Sequence, residues 1–290
     1  MRLATFNILH GRSLADGVVS VERLAAACRS LEVDVLCLQE VDRGQDRSGG
    51  ADQTAEVAAA LGSASWRFEP AIVGVPGGLW RPAADEDTAG TGPGGEETAG
   101  TGPGSGAGPG ADEPRPSGEG QRRSGTGGGA AYGVAIVSRL PVERWHVLRL
   151  AAAPVRSPVM VPGGRGRFLL LRDEPRVVLA AEVDAMVVAT THLSFVPGYN
   201  LVQLRRAVRW LEGLGPSAVL AGDLNAPGPL PRWTSGWRSL AEARTYPADR
   251  PRLQVDHVLG RGDLPPVTAV EVRRLALSDH RALVVALVPS

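Results

Sequence analysis

The chain has 290 residues, 43% of them hydrophobic and 21% charged, and 31 basic side chains balance 31 acidic ones to a formal net charge of zero. That length buries a large core in one domain or two small ones, and the composition is that of a soluble globular protein. Electroneutrality argues against a broad basic face for nucleic acid, though not against a local one.

Every basic residue is arginine; together with the abundance of Ala, Gly and Pro this reads as genome composition and carries no functional weight. The N-terminal Met1-Arg2-Leu3-Ala4-Thr5-Phe6-Asn7 enters a strand pattern at once, with no apolar leader, and no run is long enough to span a membrane. A cytoplasmic protein without a membrane span or an obligate protein partner is therefore expected. Cys28 and Cys37 lie in apolar segments and read as buried, reduced thiols.

Arg2 to Asn7 forms the first expected strand, with Asn7-Ile8-Leu9-His10-Gly11 as its exit. Ser20 is a plausible N-cap for a helix running to about Arg29, with Val21, Leu24, Ala25 and Cys28 on one face. Asp34 to Gln39 is a short apolar strand followed at once by Glu40. Asp52 to Leu61 reads as a helix ended by Gly62, and Trp66 to Val73 as a strand. From about Arg81 to Gly129 the pattern collapses into Gly, Pro, Thr, Ser and acidic residues, and Thr88-Ala89-Gly90-Thr91-Gly92-Pro93-Gly94 recurs from Thr98. Nothing in that stretch can bury a core, so it is expected to be a disordered surface insertion at about 81–129 within one domain spanning 1–290. A domain linker is the alternative.

The regular pattern resumes with strands at Gly133–Ser138, Trp145–Leu150, Arg167–Leu171, Arg176–Val183 and Ala185–Thr191, the last two joined as a hairpin near Asp184. Tyr199 to Leu211 is helical, with Leu201, Leu204, Val208 and Leu211 on one face. Ser217 to Ala221 is a buried strand that runs into Gly222-Asp223-Leu224-Asn225-Ala226-Pro227. Trp233 to Thr245 is weakly patterned. Leu253–Leu259, Val267–Arg273 and Ala282–Val288 close the chain as strands. Strands outnumber helices, which favours two packed sheets with helices outside over strict strand–helix alternation.

Polar residues recur where apolar strands stop: Asn7, Glu40, His192, Asp223 with Asn225, Asp256, and Asp279 with His280. Asp223 and Asn225, two apart, would share one face if the strand continued through them. Each residue has an ordinary reading by itself: Asp223 and Asn225 as a turn cap, Glu40 as a helix-start charge, Asp279 as a turn, His192 as a structural histidine. Jointly, carboxylates crowded at one rim would repel one another without a cation, and an oxygen-rich set suits Mg²⁺ or Mn²⁺ better than Zn²⁺.

The motifs Thr5-Phe6-Asn7, Leu38-Gln39-Glu40-Val41-Asp42, Gly133-Val134-Ala135-Ile136-Val137-Ser138-Arg139, Thr191-His192-Leu193, Gly222-Asp223-Leu224-Asn225, Val255-Asp256-His257-Val258 and Ser278-Asp279-His280 follow one another along the chain. In that order they resemble the endonuclease/exonuclease/phosphatase superfamily, which includes DNase I-like nucleases, abasic-site endonucleases, inositol polyphosphate 5-phosphatases and sphingomyelinases. The resemblance spans nearly the whole chain outside the insertion. It implies an α+β fold of four layers, α/β/β/α, with two mixed sheets flanked by helices and a site at one rim.

Carried over by position, Glu40 resembles the principal metal ligand, with Asn7 and Asp279 nearby. His280 and Asp256 resemble the family's His–Asp dyad. Asp223 and Asn225 resemble the residues that orient the attacking water and stabilise developing charge, and His192 resembles the second histidine of the DNase I-like branch. Whether Asp223 or the His280 pair is the formal base stays open. Arg176, after Glu174-Pro175, is a candidate phosphate contact, with a plain strand-edge arginine as an equal alternative. His192 stands where the abasic-site branch has Asn, and that branch's active-site Tyr has no identified counterpart. Arg43 to Gln53 resembles a stretch common in small bacterial members, with a loop and helix cap as an equally good reading. Trp80, Trp233 and Trp237 are candidates to line a groove, with core packing the preferred reading.

The resemblance thus implies a Mg²⁺-dependent phosphoester hydrolase, foremost a phosphodiesterase or nuclease acting by in-line water attack, with nucleic acid among the candidate substrates. A phosphomonoesterase acting on a small or lipid phosphate is one alternative. A non-catalytic binding protein on the same fold is another.

Overall fold

The computed structural model describes residues 1–63, 65–87, 129–160 and 168–288. In chain order it contains β1 (Arg2–Asn7), α1 (Val21–Arg29), β2 (Val35–Arg43), α2 (Gln53–Leu61), β3 (Ser65–Gly74), β4 (Trp80–Pro82), β5 (Ala131–Ser138), β6 (Arg144–Leu150), β7 (Arg156–Met160) and β8 (Phe168–Arg172). These are followed by β9 (Arg176–Val183), β10 (Met186–His192), α3 (Tyr199–Glu212), β11 (Ala218–Asp223), α4 (Leu230–Ser235), β12 (Arg238–Ser239), β13 (Asp256–Arg261), β14 (Val267–Arg273) and β15 (Ala282–Leu287).

One sheet has the order β14-β15-β1-β2-β5-β3-β4 and a second β12-β13-β11-β10-β9-β6; β7 and β8 pair as a separate two-stranded arm. The two large sheets pack face to face. Leu3, Val35, Cys37 and Ile136 of the first meet Leu179, Val188, Val219 and Val258 of the second. The alternate positions Ala4, Phe6, Leu36 and Leu38 face outward and are covered by Leu24, Cys28 and Val57 of α1 and α2. On the far side, Val178, Ala189 and Leu220 lie under Leu204, Val208 and Leu211 of α3. Strands buried on both faces read as unbroken apolar runs, which is why their sequence signal was strong. The result is the expected four-layer arrangement of two mixed sheets between helices.

Helix starts follow side-chain capping. The Ser20 side chain accepts from the Arg23 amide at 3.2 Å and Asp52 from the Ala55 amide at 3.0 Å, and Gly62 closes α2 at φ 64°. The two cysteines lie in different layers, both buried and unpaired.

Several boundaries differ from the sequence reading. β2 runs on to Arg43 instead of ending at Gln39. Gln39 is polar yet buried: its carbonyl accepts from Thr5 at 3.2 Å and its amide donates to Thr190 of the facing sheet at 2.8 Å. The break expected at Arg81 comes later. Arg81 and Pro82 belong to β4 and a 3₁₀ turn spans Asp85–Asp87, with Arg81 making two 2.6 Å bonds to Asp87. The remainder of the expected insertion, 88–128, lies outside the described residues. β4, β7, α4 and β12 are short elements that the sequence pattern did not resolve.

One topological fact positions the site. β1 and β2 are parallel, as are β10 and β11, so Asn7, Glu40, His192 and Asp223 come to the same rim at or near strand C-termini. β13 runs antiparallel to β11, and β15 antiparallel to β1. Asp256 therefore reaches that rim by starting a strand, and Asp279 and His280 by preceding one.

Candidate active site

Glu40 enters the rim through a β-bulge. Opposite β5, Gln39 pairs with Val134 and Val41 with Gly133, which leaves Glu40 as the extra residue, at φ +59°. Bulges re-aim a side chain, and a non-glycine residue in this conformation persists only where its surroundings hold it. On its other flank Gly133 faces a second bulge, in β3 between Pro70 and Ile72. A Cβ on Gly133 would lie 2.1 Å from the Glu69 carbonyl oxygen and 2.8 Å from Pro70 Cα.

Asn7 ties the two sheets together at this point. Its side-chain amide donates to Glu40 Oε1 at 3.0 Å and to Asp223 Oδ2 at 3.1 Å, while its oxygen accepts from the Leu9 amide. Asn7 thus presents its N–H groups to both acids.

Asp223 ends β11 and is 2% exposed. Besides Asn7, its Oδ2 faces His192 Nε2 at 3.5 Å and His280 Nε2 at 3.8 Å. Burial lifts its carboxyl to about 7; the His280 charge opposes this and the Asp256 charge adds to it. Asn225 does not extend the strand. It sits at φ +49° and its backbone N–H returns to Asp223 Oδ1 at 3.0 Å, an Asx turn in place of the expected shared strand face. The Asn225 amide donates to the Leu193 carbonyl at 2.9 Å and meets His192 Nε2 at 3.1 Å. With Nε2 accepting, the His192 proton sits on Nδ1, which is buried and has no partner among the described residues. Burial first, then Arg176 and His280, push the His192 imidazole well below its ordinary value and keep it neutral.

His280 is paired with Asp256 through Nδ1 and Oδ2 at 2.9 Å, and the Thr245 hydroxyl donates to the same Asp256 oxygen. Burial opposes a charge on His280, but the charge and hydrogen bond of Asp256, helped by Asp223 and Asp279, outweigh it and raise the ring to about 10. The turn before β15 is fixed by Ser278, which donates to the Asn7 carbonyl at 2.6 Å and accepts from the His280 amide at 3.0 Å. Tyr246 lies against the ring, centroids 4.9 Å apart.

Glu40, His192, Asp223, Asn225, Tyr246 and His280 line a cavity of about 830 Å³ that also takes in Trp80, Tyr132, Arg172, Glu174, Arg176 and Asp279, with Asn7 and Asp256 bonded behind them. Arg176 starts β9, is 6% exposed, and contacts Asp173 only at 3.5 Å; its Nε has no partner among the described residues. All eight catalytic and metal candidates and Arg176 therefore belong to this rim. Tyr246, Glu174 and Tyr132 were missed. Tyr246 falls in the weakly patterned stretch, and the other two carry no local signal that separates them from ordinary strand-end residues. Of the three tryptophans, Trp237 is core, with its indole N–H bonded to Glu212, Trp233 is exposed, and Trp80 lines the cavity, against the preference for core packing.

The donor set fits a hard divalent cation. Burial raises the Glu40 carboxyl and neighbouring Asp279 raises it further, a crowding of anions that no direct ion pair relieves among the described residues. Asp223, Asp256 and His280 also offer three atoms within 4.8 Å of one another. That trio is already joined by the His280–Asp256 bond, so the Glu40–Asp279 side carries the stronger demand for a cation.

The sequence matches the Endonuclease/Exonuclease/phosphatase family over residues 4–280. No curated protein matches it. Among solved structures, an endonuclease/exonuclease/phosphatase from Beutenbergia cavernae DSM 12333 superposes with a TM-score of 0.56 at 22% identity, over 98% of this chain and 70% of that one. The mannosyl-6-phosphatase Bt3783 of Bacteroides thetaiotaomicron VPI-5482 gives 0.55 at 14% identity, over 99% of each chain. Sphingomyelinase C from Streptomyces griseocarneus gives 0.53 at 14%, over 98% of each. At these identities the likeness is one of fold.

Proposed function

The chain belongs to the endonuclease/exonuclease/phosphatase family, and on that footing we propose that it hydrolyses phosphodiesters by in-line attack of water, with Mg²⁺ or Mn²⁺ as cofactor. The observation that carries this is the convergence on Asp223 Oδ2 of Asn7 at 3.1 Å, His192 at 3.5 Å and His280 at 3.8 Å. A carboxylate lifted to about 7 by burial is matched to taking a proton from water near neutrality.

Asp223 then holds and deprotonates the attacking water, and Asn7 fixes the angle of its carboxylate. His280, kept protonated by Asp256, places a charged N–H beside the reacting phosphoryl group, where negative charge grows. His192, neutral, turns its Nε2 to Asn225 at 3.1 Å and to Asp223 Oδ2 at 3.5 Å, and so helps to position the carboxylate that holds the water. Arg176, buried and weakly paired, offers a guanidinium to a non-bridging oxygen. Glu40, with Asp279 and Asn7 nearby, would hold the cation, which supplies charge neutralisation and orientation of the phosphoryl oxygens.

The lining offers few cationic side chains to a long polyanion. Its cations are two arginines, Arg172 and Arg176, and the charged His280, beside four acids, Glu40, Glu174, Asp223 and Asp279. A non-specific nuclease would rest its affinity on many phosphate contacts.

The test is turnover of bis-p-nitrophenyl phosphate, DNA and a monoester panel, with Mg²⁺ and with chelator. The expected outcome is diester hydrolysis abolished by chelation, and losses of at least about two orders of magnitude in Glu40→Ala and in His280→Ala. Near-native activity in either variant removes the assignment.

A further inference from the structure

One wall of the cavity is built from side chains that the proposed chemistry does not use. The β3–β4 arm contributes Leu79 and Trp80, and the β7–β8 arm contributes Leu171 and Arg172. The Arg172 guanidinium stands 5.7 Å from the Trp80 ring centre, which brings the two arms together. Leu79 is 93% exposed, Leu171 42%, and Val75, Val155 and Leu170 on the same arms are exposed as well. Across the cleft, Leu253 is also open. Scattered exposed leucines need no explanation, but a group of them that continues the wall of a reaction centre does.

Resting on the hydrolase reading, we propose that the cleft selects phosphodiesters whose organic group is a flexible apolar chain, and that Leu79, Trp80 and Leu171 form the surface along which that chain lies. Three features carry this. The wall is continuous with the cavity that holds Glu40, Asp223 and His280. Leu79, Trp80 and Leu171 offer one side-chain hydrogen-bonding group between them, the indole N–H, whereas a sugar or a nucleobase would leave several polar groups unmatched against them. The lining holds two arginines, few for an organic group that carries several further phosphates.

The experiment uses the full chain with Mg²⁺ and a series of alkyl p-nitrophenyl phosphodiesters, methyl to octyl, kept below micelle-forming concentrations. A fully buried methylene is worth about fourfold, so a chain covered on one side is expected to raise kcat/KM about twofold per methylene. Leu79→Asp combined with Leu171→Asp, both at exposed positions, is expected to flatten that slope, and Leu79→Phe to keep it; melting curves establish that each variant is folded. A native slope of zero while the methyl ester is turned over overturns the chain surface and leaves the hydrolase reading intact. Failure to turn over any ester sinks the hydrolase reading itself. Sedimentation with phosphatidylcholine vesicles separates the sources of the chain: binding that the double variant loses assigns it to a membrane lipid, and chain-length dependence without vesicle binding assigns it to a free amphiphile.

Discussion

Replacing Asn7 by Asp tests the logic of the rim without changing its shape. The two side chains are nearly isosteric, so the substitution exchanges a donor for an acceptor and adds one negative charge. In the native protein the amide nitrogen donates to Glu40 Oε1 at 3.0 Å and to Asp223 Oδ2 at 3.1 Å. Hydrogen bonds to charged groups contribute roughly 1.5–3 kcal/mol each, so losing both costs about 3–6 kcal/mol. For a chain of this size that corresponds to a fall in Tm of about 6–12 °C.

The pH dependence has a definite sign. The Asp223 carboxyl stands at about 7 against an ordinary 3.8, because burial disfavours its charge. Between those values the folded state keeps a proton that the unfolded state releases, so stability falls by about 1.4 kcal/mol per pH unit as pH rises. Below about pH 4 the penalty is absent, and above about 7 it is complete. A new carboxylate beside Asp223 raises the upper limit further. The gap between Asn7→Asp and the native protein should therefore widen from pH 6 to pH 8 in chelator, and Mg²⁺ should narrow it by answering the added charge. Thermal melts at the two pH values, with and without Mg²⁺, make the measurement. A variant within 2 °C of native at pH 8 in chelator, or a gap that Mg²⁺ leaves unchanged, refutes the reasoning.

Asp256→Asn removes the charge that holds His280 at about 10. Expected are a loss of about 100-fold in kcat at pH 8 and a smaller deficit relative to the native protein toward pH 6, as the ring regains its proton; an unaltered pH–rate profile would contradict the role given to the pair. Because the folded value lies above the ordinary 6.5, the His280 contribution to stability is fully present below about 6.5 and is lost as pH rises through about 10. A native Tm that does not fall across pH 8.5–10.5 would argue against it. Cys28 and Cys37, pushed up to about 12 by burial, should resist a thiol reagent at pH 8 until denaturant exposes both. Reaction of one thiol in the native protein would place it outside the core.

Much of this was legible in the sequence because strands buried on both faces cannot hide their apolar runs, and helix caps state their own positions. Ser20, Asp52 and Gly62 cap α1 and α2 where the pattern places them. The end of β2 was misread because Gln39 looks like the close of an apolar run. Only the facing sheet, through Thr190, shows that a buried glutamine belongs inside the strand. The reading that polar residues gather where strands stop holds for Asn7, His192 and Asp223. It is incomplete for Asp256, Asp279 and His280, which reach the rim because β13 and β15 run antiparallel to their neighbours, and strand direction leaves no mark on hydrophobic periodicity. Asn225 was assigned to a strand face because alternation was assumed to outlast Gly222; the left-handed turn that follows Asp223 is a local choice that Asn tolerates.

The same contacts show why the site belongs to the packed pair of sheets and to neither alone. Asp223 comes from one sheet, while Asn7, whose side-chain amide donates to it, comes from the other. Gln39 immediately precedes the bulged Glu40, and its amide holds Thr190, two residues before His192. This buried hydrogen bond, beside the Asn7 bridge, therefore ties the strand that carries Glu40 to the strand that ends in His192. Buried polar groups are costly unless paired, so this bridge is kept or lost together with the packing around it. Rigid positioning of groups drawn from both sheets then follows from the same apolar burial that holds the layers together.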